Sequence, residues 1–426
     1  MRIGWVAVIA LVAAAGGVGW WVTQQGSGDA PAQASQASAA APAPAQPVQF
    51  NAGAPLTPQL QPIADRVNRA AMPANAQPLD VTGGGAGDAG AASQPAAATS
   101  RQTAGAAATD QPAGEADASL DQRTAGTNAD PVLIRAQVML DRAHFSPGVI
   151  DGRGGENTRN ALMAFERAAG LDPDGRLDPQ AWAALTQGDA NPAVRGYTIA
   201  AEDVQGPFVA EMPETFPEMA RLERLGYRDA AEGLAEKFHM DEDLLRELNP
   251  GVDFARAGQV ILVAAVGDRP LPPVDRIEVD KDRVQLRAYS GDRLVAVYPA
   301  TVGSASFPSP QGAMTVRAVA PNPNYTYNPE VITFGRERNG DQLLTIPPGP
   351  NNPVGGTWID LSEETYGIHG APEPSQVGKT ASHGCVRLTN WDAAELGRAV
   401  RTGARVTFTG AQTGGPAAPV QAERRT

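Results

Sequence analysis

Residues 368–390 read IHGAPEPSQVGKTASHGCVRLTN, and they contain Cys385, the only cysteine of the 426-residue chain. They also contain two of its four histidines, His369 and His383. A thiol is a weak nucleophile until it is ionised, and a neighbouring imidazole can accept its proton. This stretch therefore holds the smallest set of side chains that nucleophilic catalysis by a cysteine requires.

The sequence before this stretch is typical of a β-rich domain. Short runs of branched and partly alternating residues follow one another from residue 274, for example RIEVD at 276–280 and AMTVRAV at 313–319. Turn signals such as SGD and SPQG separate them, and no helical pattern intervenes. The pattern predicts a sandwich or barrel-like sheet structure over residues 274–409.

Attack on a carbonyl group places negative charge on its oxygen, and main-chain N–H groups stabilise that charge well where a glycine permits close approach. Gly384, immediately before Cys385, provides such a position. Either histidine can serve as the base. His383 shares a face with Cys385 on an extended chain, because it lies two residues away, whereas His369 has to arrive through folding.

The stretch, together with PPGPNNPVGGTWIDL at 347–361, resembles the catalytic domain of the YkuD-type L,D-transpeptidases. The resemblance covers residues 274–409, and the pattern His…Ser-His-Gly-Cys-x-Arg carries it. It implies acyl transfer on the stem peptides of peptidoglycan. A cysteine attacks the carbonyl that joins an L-centre to a terminal D-residue, releases that residue and forms a thioester, which an amine from another stem resolves.

The catalytic roles of individual residues follow from this resemblance. Cys385 is the implied nucleophile, and His369 is the implied general base. The main chain of His383, Gly384 and Cys385 forms the implied oxyanion site. We expect neither a cofactor nor a bound metal.

Four further residues are expected on the substrate-binding side of the site. Ser382 is expected to support it through hydrogen bonds. Arg387 either holds a substrate carboxylate in a charge-assisted fork or pairs with a structural acid. Tyr325 and Tyr327, in the Pro- and Asn-rich loop PNPNYTYNPE, either line the substrate groove or pack within the protein.

The sequence leaves other functions open. Water in place of the amine would make the enzyme an L,D-carboxypeptidase, and a protein amine would make it attach a protein to peptidoglycan. A wall-binding scaffold with an inert cysteine is disfavoured by the complete catalytic pattern. A zinc site is disfavoured too, because the motif has no second cysteine and no recognised zinc spacing. Its ligands would be His369, His383, Cys385 and Glu373.

Residues 131–187 predict a small bundle of three helices. Asn157 or Thr158 begins the second helix and Gly170 ends it. Asp178, followed by proline, begins the third. The motifs FSPGVIDG, NTRNAL and GRLD resemble the peptidoglycan-binding domain of bacterial wall enzymes, which implies peptidoglycan as a partner.

Residues 196–265 predict an α+β module in which two helices lie between two strands. The first strand is expected at Tyr197–Ile199 and the second at Gln259–Val263. The pattern from Tyr227 onward resembles the later part of a LysM module, which is a glycan-binding fold. A segment of 27 residues precedes Tyr227, where such modules have a short turn.

The ends of the chain carry targeting and linker signals. Residues 3–22 contain no charged side chain, and their length is close to the roughly 20 residues that span a bilayer. They predict an inner-membrane anchor at residues 1–22 and a periplasmic body in the cell envelope, with a cleaved signal peptide as the competing interpretation. Residues 23–130, rich in Ala, Pro and Gln, predict a disordered linker, and residues 410–426 predict a disordered tail.

The charge of the chain bears on its partners. A net charge of −13 argues against nucleic acid, whose phosphates would need a surface rich in Lys and Arg. The sequence as a whole predicts a multidomain protein, in which a mainly β catalytic domain follows a small helical domain and an α+β module.

Overall fold

The computed structural model describes residues 53–81, 129–187, 189–267, 269–332 and 335–410. All of them belong to one unit of the chain, Ala34–Thr426. The predicted membrane anchor and the predicted tail beyond residue 410 lie outside these ranges. Within them, no helix combines the length and the apolar character that crossing a membrane requires.

The segment 53–81 packs on the rest of the protein, although the sequence predicts a disordered linker over residues 23–130. Helix α1 (Gln61–Asn68) buries Ala64 and Val67 in the core of a later module. The linker prediction is therefore wrong for this segment. Two apolar side chains one turn apart give a short helix a buried face, and an average composition does not reveal such a local face.

The next module is the predicted helical bundle. Asp178 accepts hydrogen bonds from the main chain of residues 180 and 181 and begins the third helix, as expected. Gly170 ends the second helix in the left-handed conformation, also as expected, but that helix starts at Glu156, ahead of Asn157 and Thr158. Its elements, with a strand from the preceding segment, are β1 (Leu79–Asp80), α2 (Pro131–Arg142), α3 (Glu156–Ala169), β2 (Arg176–Leu177) and α4 (Pro179–Thr186).

The module after it has two antiparallel strands with helices between them, as predicted. The side-chain amide of Asn249 bonds to both main-chain groups of Leu262, and this ties the end of the last helix to the second strand. Residues of α1 complete the core of this module. Its elements are β3 (Val194–Thr198), α5 (Phe216–Met219), α6 (Ala230–Lys237), α7 (Glu242–Leu248) and β4 (Val260–Ala264).

The last module is mainly β, as predicted. Its strands are β5 (Val274–Asp280), β6 (Gln285–Ser290), β7 (Arg293–Pro299), β8 (Gly312–Pro321), β9 (Tyr325–Tyr327), β10 (Leu344–Ile346), β11 (Thr357–Leu361), β12 (Gly367–His369), β13 (Val386–Arg387) and β14 (Val400–Thr409). Its helices are α8 (Arg336–Asn339) and α9 (Asn390–Ala399). Eight strands form one sheet in the order β13-β12-β11-β8-β14-β5-β6-β7, and β9 pairs with β10 in a separate hairpin.

The two edges of the eight-stranded sheet meet each other. Thr301, two residues after β7, exchanges two main-chain hydrogen bonds of 2.9 Å with Arg387 in β13. Side chains from both edges share one core, among them Tyr298 and Ile368. This closure agrees with the barrel-like sheet structure that the sequence predicts, and it places β12 and β13 beside the chain that leaves β7.

Candidate active site

Strands β12 and β13 bring the predicted site residues together. The two strands are parallel neighbours, and His369 on β12 pairs in register with Arg387 on β13. Residues paired across neighbouring strands point to the same face of a sheet, so these two side chains share a face. Cys385 directly precedes β13, and its Sγ lies 3.4 Å from the main-chain oxygen of Thr365, just before β12. Folding therefore brings the segment that ends at His369 beside the segment that contains Cys385 and Arg387.

The environment of Cys385 keeps its thiol protonated. The residue is partly exposed, so a substrate can reach it. Burial raises the pKa of the thiol above its ordinary value, while a main-chain hydrogen bond from Gly367 and the charge of Arg387 act in the opposite direction. Since the pKa is raised on balance, the sulfur needs a base when it attacks.

His369 has a single tautomer. It is 3% exposed, and its Nδ1 lies 2.7 Å from the main-chain oxygen of Gly370. A carbonyl oxygen only accepts, so Nδ1 carries the hydrogen and Nε2 keeps the lone pair that takes a proton. Burial and the charge of Arg387 lower the pKa of His369 to about 3, against the hydrogen bond to Gly370, which raises it. The imidazole is therefore neutral at physiological pH, and the Trp358 ring stacks on it at 5.5 Å.

A hydrogen-bonded turn presents Cys385. The hydroxyl of Ser382 donates to the main-chain oxygen of Cys385 at 2.5 Å and accepts from the N–H of Gly384 at 3.1 Å. Gly384 has a φ of +119°, and a Cβ at this position would lie 3.0 Å from the Tyr366 ring. A glycine is required here, because other residues rarely adopt this backbone conformation.

The turn gives two residues of the predicted site hydrogen-bond partners within the loop itself. Ser382 is 2% exposed and both of its Oγ bonds lie within the turn, so it supports the loop through hydrogen bonds. The N–H of Gly384, which we expected at the oxyanion site, donates to Ser382. A serine hydroxyl readily bonds a main-chain N–H two residues further on, and a motif alone does not show whether it does so.

The second histidine of the motif has a different environment. His383 is exposed, and its ring centroid lies 4.8 Å from that of Phe307. Burial and the charge of Arg387 both lower its pKa. Of the two histidines, His369 is the one that is buried and whose tautomer is fixed. Within the described ranges, no three side chains of His, Cys, Asp or Glu are grouped so as to hold a metal ion.

Arg387 on β13 adds a positive charge to the candidate site. Burial lowers its pKa, and the negative charges of Cys385, Tyr325 and Glu373 act against this. Among the residues that the structure describes, no carboxylate lies within ion-pair distance of its guanidinium. The pairing with a structural acid, one of the two roles considered from sequence, is thus not seen in this part of the chain.

The two tyrosines of β9 have different environments. Tyr327 is fully buried and its hydroxyl donates to the main-chain oxygen of Gly340 at 3.3 Å. Of the two environments considered from sequence, Tyr327 has the second, because its side chain packs in the core beneath the hairpin. Burial raises the pKa of Tyr325 above its usual range, the charge of Cys385 adds to the rise, and Arg387 opposes it. Tyr325 is thus within electrostatic reach of Cys385 and Arg387.

Some residues of the site carry little or no signal in the sequence. Gly370 orients the base, and its position directly after His369 in the motif is a usable signal. Ser309 gives none, because it lies 75 residues from the main-chain oxygen of Gly384, to which its hydroxyl donates at 2.8 Å. Only the three-dimensional fold brings such a support to the nucleophile's loop.

The fold and the site are those of an enzyme that transfers acyl groups through a cysteine, and comparison with known proteins makes the class specific. Residues 274–408 match the family model of the YkuD L,D-transpeptidase catalytic domain. Residues 130–185 match that of a putative peptidoglycan binding domain.

The chain is also similar to proteins with names. The chain is 32% identical over 183 residues to the putative L,D-transpeptidase YkuD of Bacillus licheniformis. The match covers 42% of this chain and 94% of that protein. It is 29% identical over 181 residues to the protein of the same name from Bacillus subtilis, with 42% and 93% covered. The crystal structure of an L,D-transpeptidase from Xylanimonas cellulosilytica has 17% sequence identity and a TM-score of 0.28, with 66% of this chain and 94% of that chain covered.

The chain belongs to the YkuD family of L,D-transpeptidases. The prediction of an L,D-transpeptidase with a peptidoglycan-binding domain is confirmed. Domains that bind and modify peptidoglycan give the protein this polymer as its partner and the cell envelope as its location.

Proposed function

We propose that Cys385 is the nucleophile and His369 the general base of this L,D-transpeptidase. The observation that carries the proposal is the fixed tautomer of His369 on β12, the strand that pairs with β13, which directly follows a partly exposed thiol of raised pKa. A thiol of this kind needs a base to react. An imidazole of lowered pKa stays unprotonated and is available to act as one.

The first half of the reaction forms a thioester. Nε2 of His369 takes the thiol proton while the sulfur of Cys385 attacks the donor carbonyl carbon. The carbon–nitrogen bond then breaks, and the imidazolium gives its proton to the amine of the leaving D-residue. Because the pKa of His369 is lowered, its imidazolium is a strong acid, which favours this return of the proton.

The second half transfers the acyl group. An amine of the acceptor stem attacks the thioester carbonyl, and Nε2 of His369 removes a proton from that amine. The carbon–sulfur bond breaks, the thiolate of Cys385 leaves, and the imidazolium returns the proton to it. A new amide bond joins the two stems, and the enzyme is restored.

The oxyanion site of the proposal lies on the main chain from His383 to Cys385. The donor's carbonyl oxygen replaces Ser382 as the acceptor of the Gly384 N–H, and the N–H of Cys385 is the second donor. The cost of breaking the bond to Ser382 is offset by a bond to an oxygen that becomes negatively charged, since charge-assisted hydrogen bonds are the stronger ones.

Arg387 and Tyr325 contact the donor in this proposal. A partly buried guanidinium without a carboxylate partner among the described residues is suited to a carboxylate of the stem peptide. The ring of Tyr325 provides an apolar wall, and its raised pKa keeps the hydroxyl protonated as a hydrogen-bond donor. The charge of Cys385 acts on the pKa of both groups, which supports a role for each of them near the reacting centre.

We propose glycan-binding roles for the preceding modules. The order β3, α6, α7, β4 supports a LysM-like fold for residues 196–265, and the helical domain at 131–187 binds the same polymer. Both precede the catalytic domain at 274–409 and hold it on its substrate. The apolar residues 3–22, outside the described ranges, support a periplasmic location, with this segment as a membrane anchor or an export signal.

Product analysis tests the proposed reaction. The full chain is incubated with a disaccharide tetrapeptide, and the products are separated and weighed by mass spectrometry. The proposal predicts cross-linked dimers and one free D-residue for each bond formed. Tripeptide without dimer would identify a carboxypeptidase instead, and products from Cys385→Ala would rule out the thiol mechanism.

A further inference from the structure

The insert at residues 206–228 interrupts the module before the catalytic domain. The two chain segments, or arms, that begin and end the insert are hydrogen-bonded to each other. The N–H of Val209 donates to the oxygen of Tyr227 at 2.8 Å. A Cβ on Gly226 would lie 2.5 Å from the main-chain oxygen of Pro207, so the arms are in direct contact. This is the extra length that sets residues 196–265 apart from a LysM pattern, and the structure gives it a definite place.

One end of the insert binds the loop before β11. The N–H of Leu225 donates to the oxygen of Pro348 at 3.0 Å, and the N–H of Asn351 donates to the oxygen of Leu225 at 3.2 Å. A Cβ on Gly349 would lie 1.9 Å from that same oxygen. The two chains therefore approach so closely that residue 349 has no room for a side chain.

The other end of the insert reaches the β9–β10 hairpin through Phe216. The N–H of Phe216 donates to Oδ1 of Asn339 at 2.8 Å, so a residue of the catalytic domain caps the start of α5. The Phe216 ring meets Tyr325 edge-on at 5.4 Å and Tyr327 at 5.2 Å.

The hairpin depends on this contact for its packing. Its strands have three residues each, and a two-stranded sheet of this size is marginal by itself. Its small core consists of Leu225, Tyr327 and Ile346, and the insert supplies much of the apolar surface around them. Edge-on aromatic pairs add stabilisation beyond the area that they bury.

Strand β8, which leads into the hairpin, is connected to the loop of His369 through β11. β9 starts four residues after Pro321, which pairs with Thr357 across β8 and β11. The oxygen of Thr357 accepts the N–H of Gly370, the residue that fixes the tautomer of His369. The mutual influence of Tyr325, Cys385 and Arg387 on each other's pKa agrees with this position.

We propose that Phe216 is a positioning residue for the transpeptidase reaction, which holds Tyr325 at the wall of the donor cleft. The insert of the preceding module is thereby a part of the active site. This inference rests on the proposed function, since it assumes that Cys385 is acylated by the donor stem. Phe216 acts through Tyr325, so its loss weakens donor binding and leaves the reactivity of the thiol unchanged.

Donor saturation of Cys385 acylation, measured on the full chain by intact mass, tests the proposal. Phe216→Ala should raise the half-saturating tetrapeptide concentration about tenfold, the effect of losing one aromatic contact. Alkylation of Cys385 by iodoacetamide, which needs no donor cleft, should keep its rate. Phe216→Tyr retains the ring and should restore donor binding. Phe208→Ala, on the same insert at a residue 37% exposed, is the matched control and should match the wild type.

The outcomes separate the two proposals. Unchanged donor saturation in Phe216→Ala overturns the positioning role while the proposed function stands. Equal losses of acylation and alkylation also overturn it, because they indicate general loosening of the domain. Tyr325→Leu removes the contact from the other side and should reproduce the effect if Phe216→Ala does not fold. A wild-type protein that forms no adduct rejects the proposed function and this inference with it.

Discussion

The chemistry of the site depends on where His369 holds its proton. The bond from Nδ1 to Gly370 leaves Nε2 as the only nitrogen that can accept a second hydrogen. Burial keeps this acceptor neutral, because it lowers the pKa to about 3. The same burial raises the pKa of the Cys385 thiol. The pair therefore rests as neutral thiol and neutral imidazole, and charge separates only when the donor carbonyl is in place.

The two histidines of the motif provide a matched test of this account. We expect His369→Gln to lower the rate of Cys385 acylation by about 10²–10⁴-fold, the usual contribution of a general base. His383→Gln should retain most of the rate, since His383 is exposed and Gln preserves the main chain at the oxyanion site. Stopped-flow mass measurement of the acyl adduct compares them. A larger loss in His383→Gln would assign the base to that residue.

At this scale the sequence predicts the reactive groups better than their supports. Cys385, His369 and Arg387 follow from one motif, because a strand, a loop and a second strand connect them. The burial of Tyr327 does not follow, since a period of two places Tyr325 and Tyr327 on one face of β9 without telling how deep each lies. The internal bond of Ser382 is equally invisible, because a free and a bonded hydroxyl have the same sequence.

Two short helices show what local patterns reveal at the scale of elements. Helix α9 lies between β13 and β14, where the sequence analysis expects only strands. Thr389 begins it by accepting a hydrogen bond from the N–H of Asp392, and this cap was legible in the sequence. The Thr389 cap is easily overlooked in the sequence, because it directly follows the catalytic motif. Helix α1 has no such cap, and its buried face needs a partner surface that only folding supplies.

The docking of α1 is testable by truncating its buried side chain. Val67 is fully buried in the core shared with β3 and α6. We expect Val67→Ala to lower the free energy of unfolding of this module by about 2 kcal/mol, as a buried large-to-small change does. Arg66→Ala, on the exposed face of the same helix, should stay within about 0.5 kcal/mol. Urea unfolding followed by tryptophan fluorescence checks both, and equal stability of the two variants would mean that α1 does not dock.

At the scale of the whole molecule, the three modules meet on helix α9. The amide of Asn390 donates to both carboxyl oxygens of Glu236 on α6, at 3.0 and 3.1 Å. Ser146, in the loop after α2, donates to Asp392 at 3.0 Å. His239 stacks on Trp391 with 5.0 Å between ring centroids. The helix that follows β13 is thus bound by both preceding modules, which the order of the modules along the chain does not predict.

The buried carboxyl groups at this junction make the stability of the folded protein depend on pH. Burial raises the pKa of Glu236 and of Asp392 to about 8 each, well above the ordinary carboxyl range. Between about 4 and 8 the folded state keeps protons that the unfolded state releases, so stability falls as pH rises through this window. His239, whose pKa is raised as well, contributes in the same direction.

We expect the unfolding temperature of the full chain to fall by several degrees between pH 5 and pH 8. Glu236→Gln keeps the shape of the side chain without its ionisation, so its unfolding temperature should fall less over the same range. The exposed Glu223→Gln is the matched control and should follow the wild type. Scanning calorimetry at each pH measures the three proteins. A Glu236→Gln profile parallel to the wild type would show that this carboxyl does not titrate in the window.

The central claim is that the thiol of Cys385 carries the donor peptide as a thioester. Intact mass spectrometry of the full chain after brief mixing with a tetrapeptide donor, followed by peptide mapping, tests it most directly. The account predicts a mass gain equal to the donor acyl group without its terminal D-residue, located on Cys385 and absent from Cys385→Ala. A donor that is consumed without such an adduct, or an adduct on another residue, would contradict it.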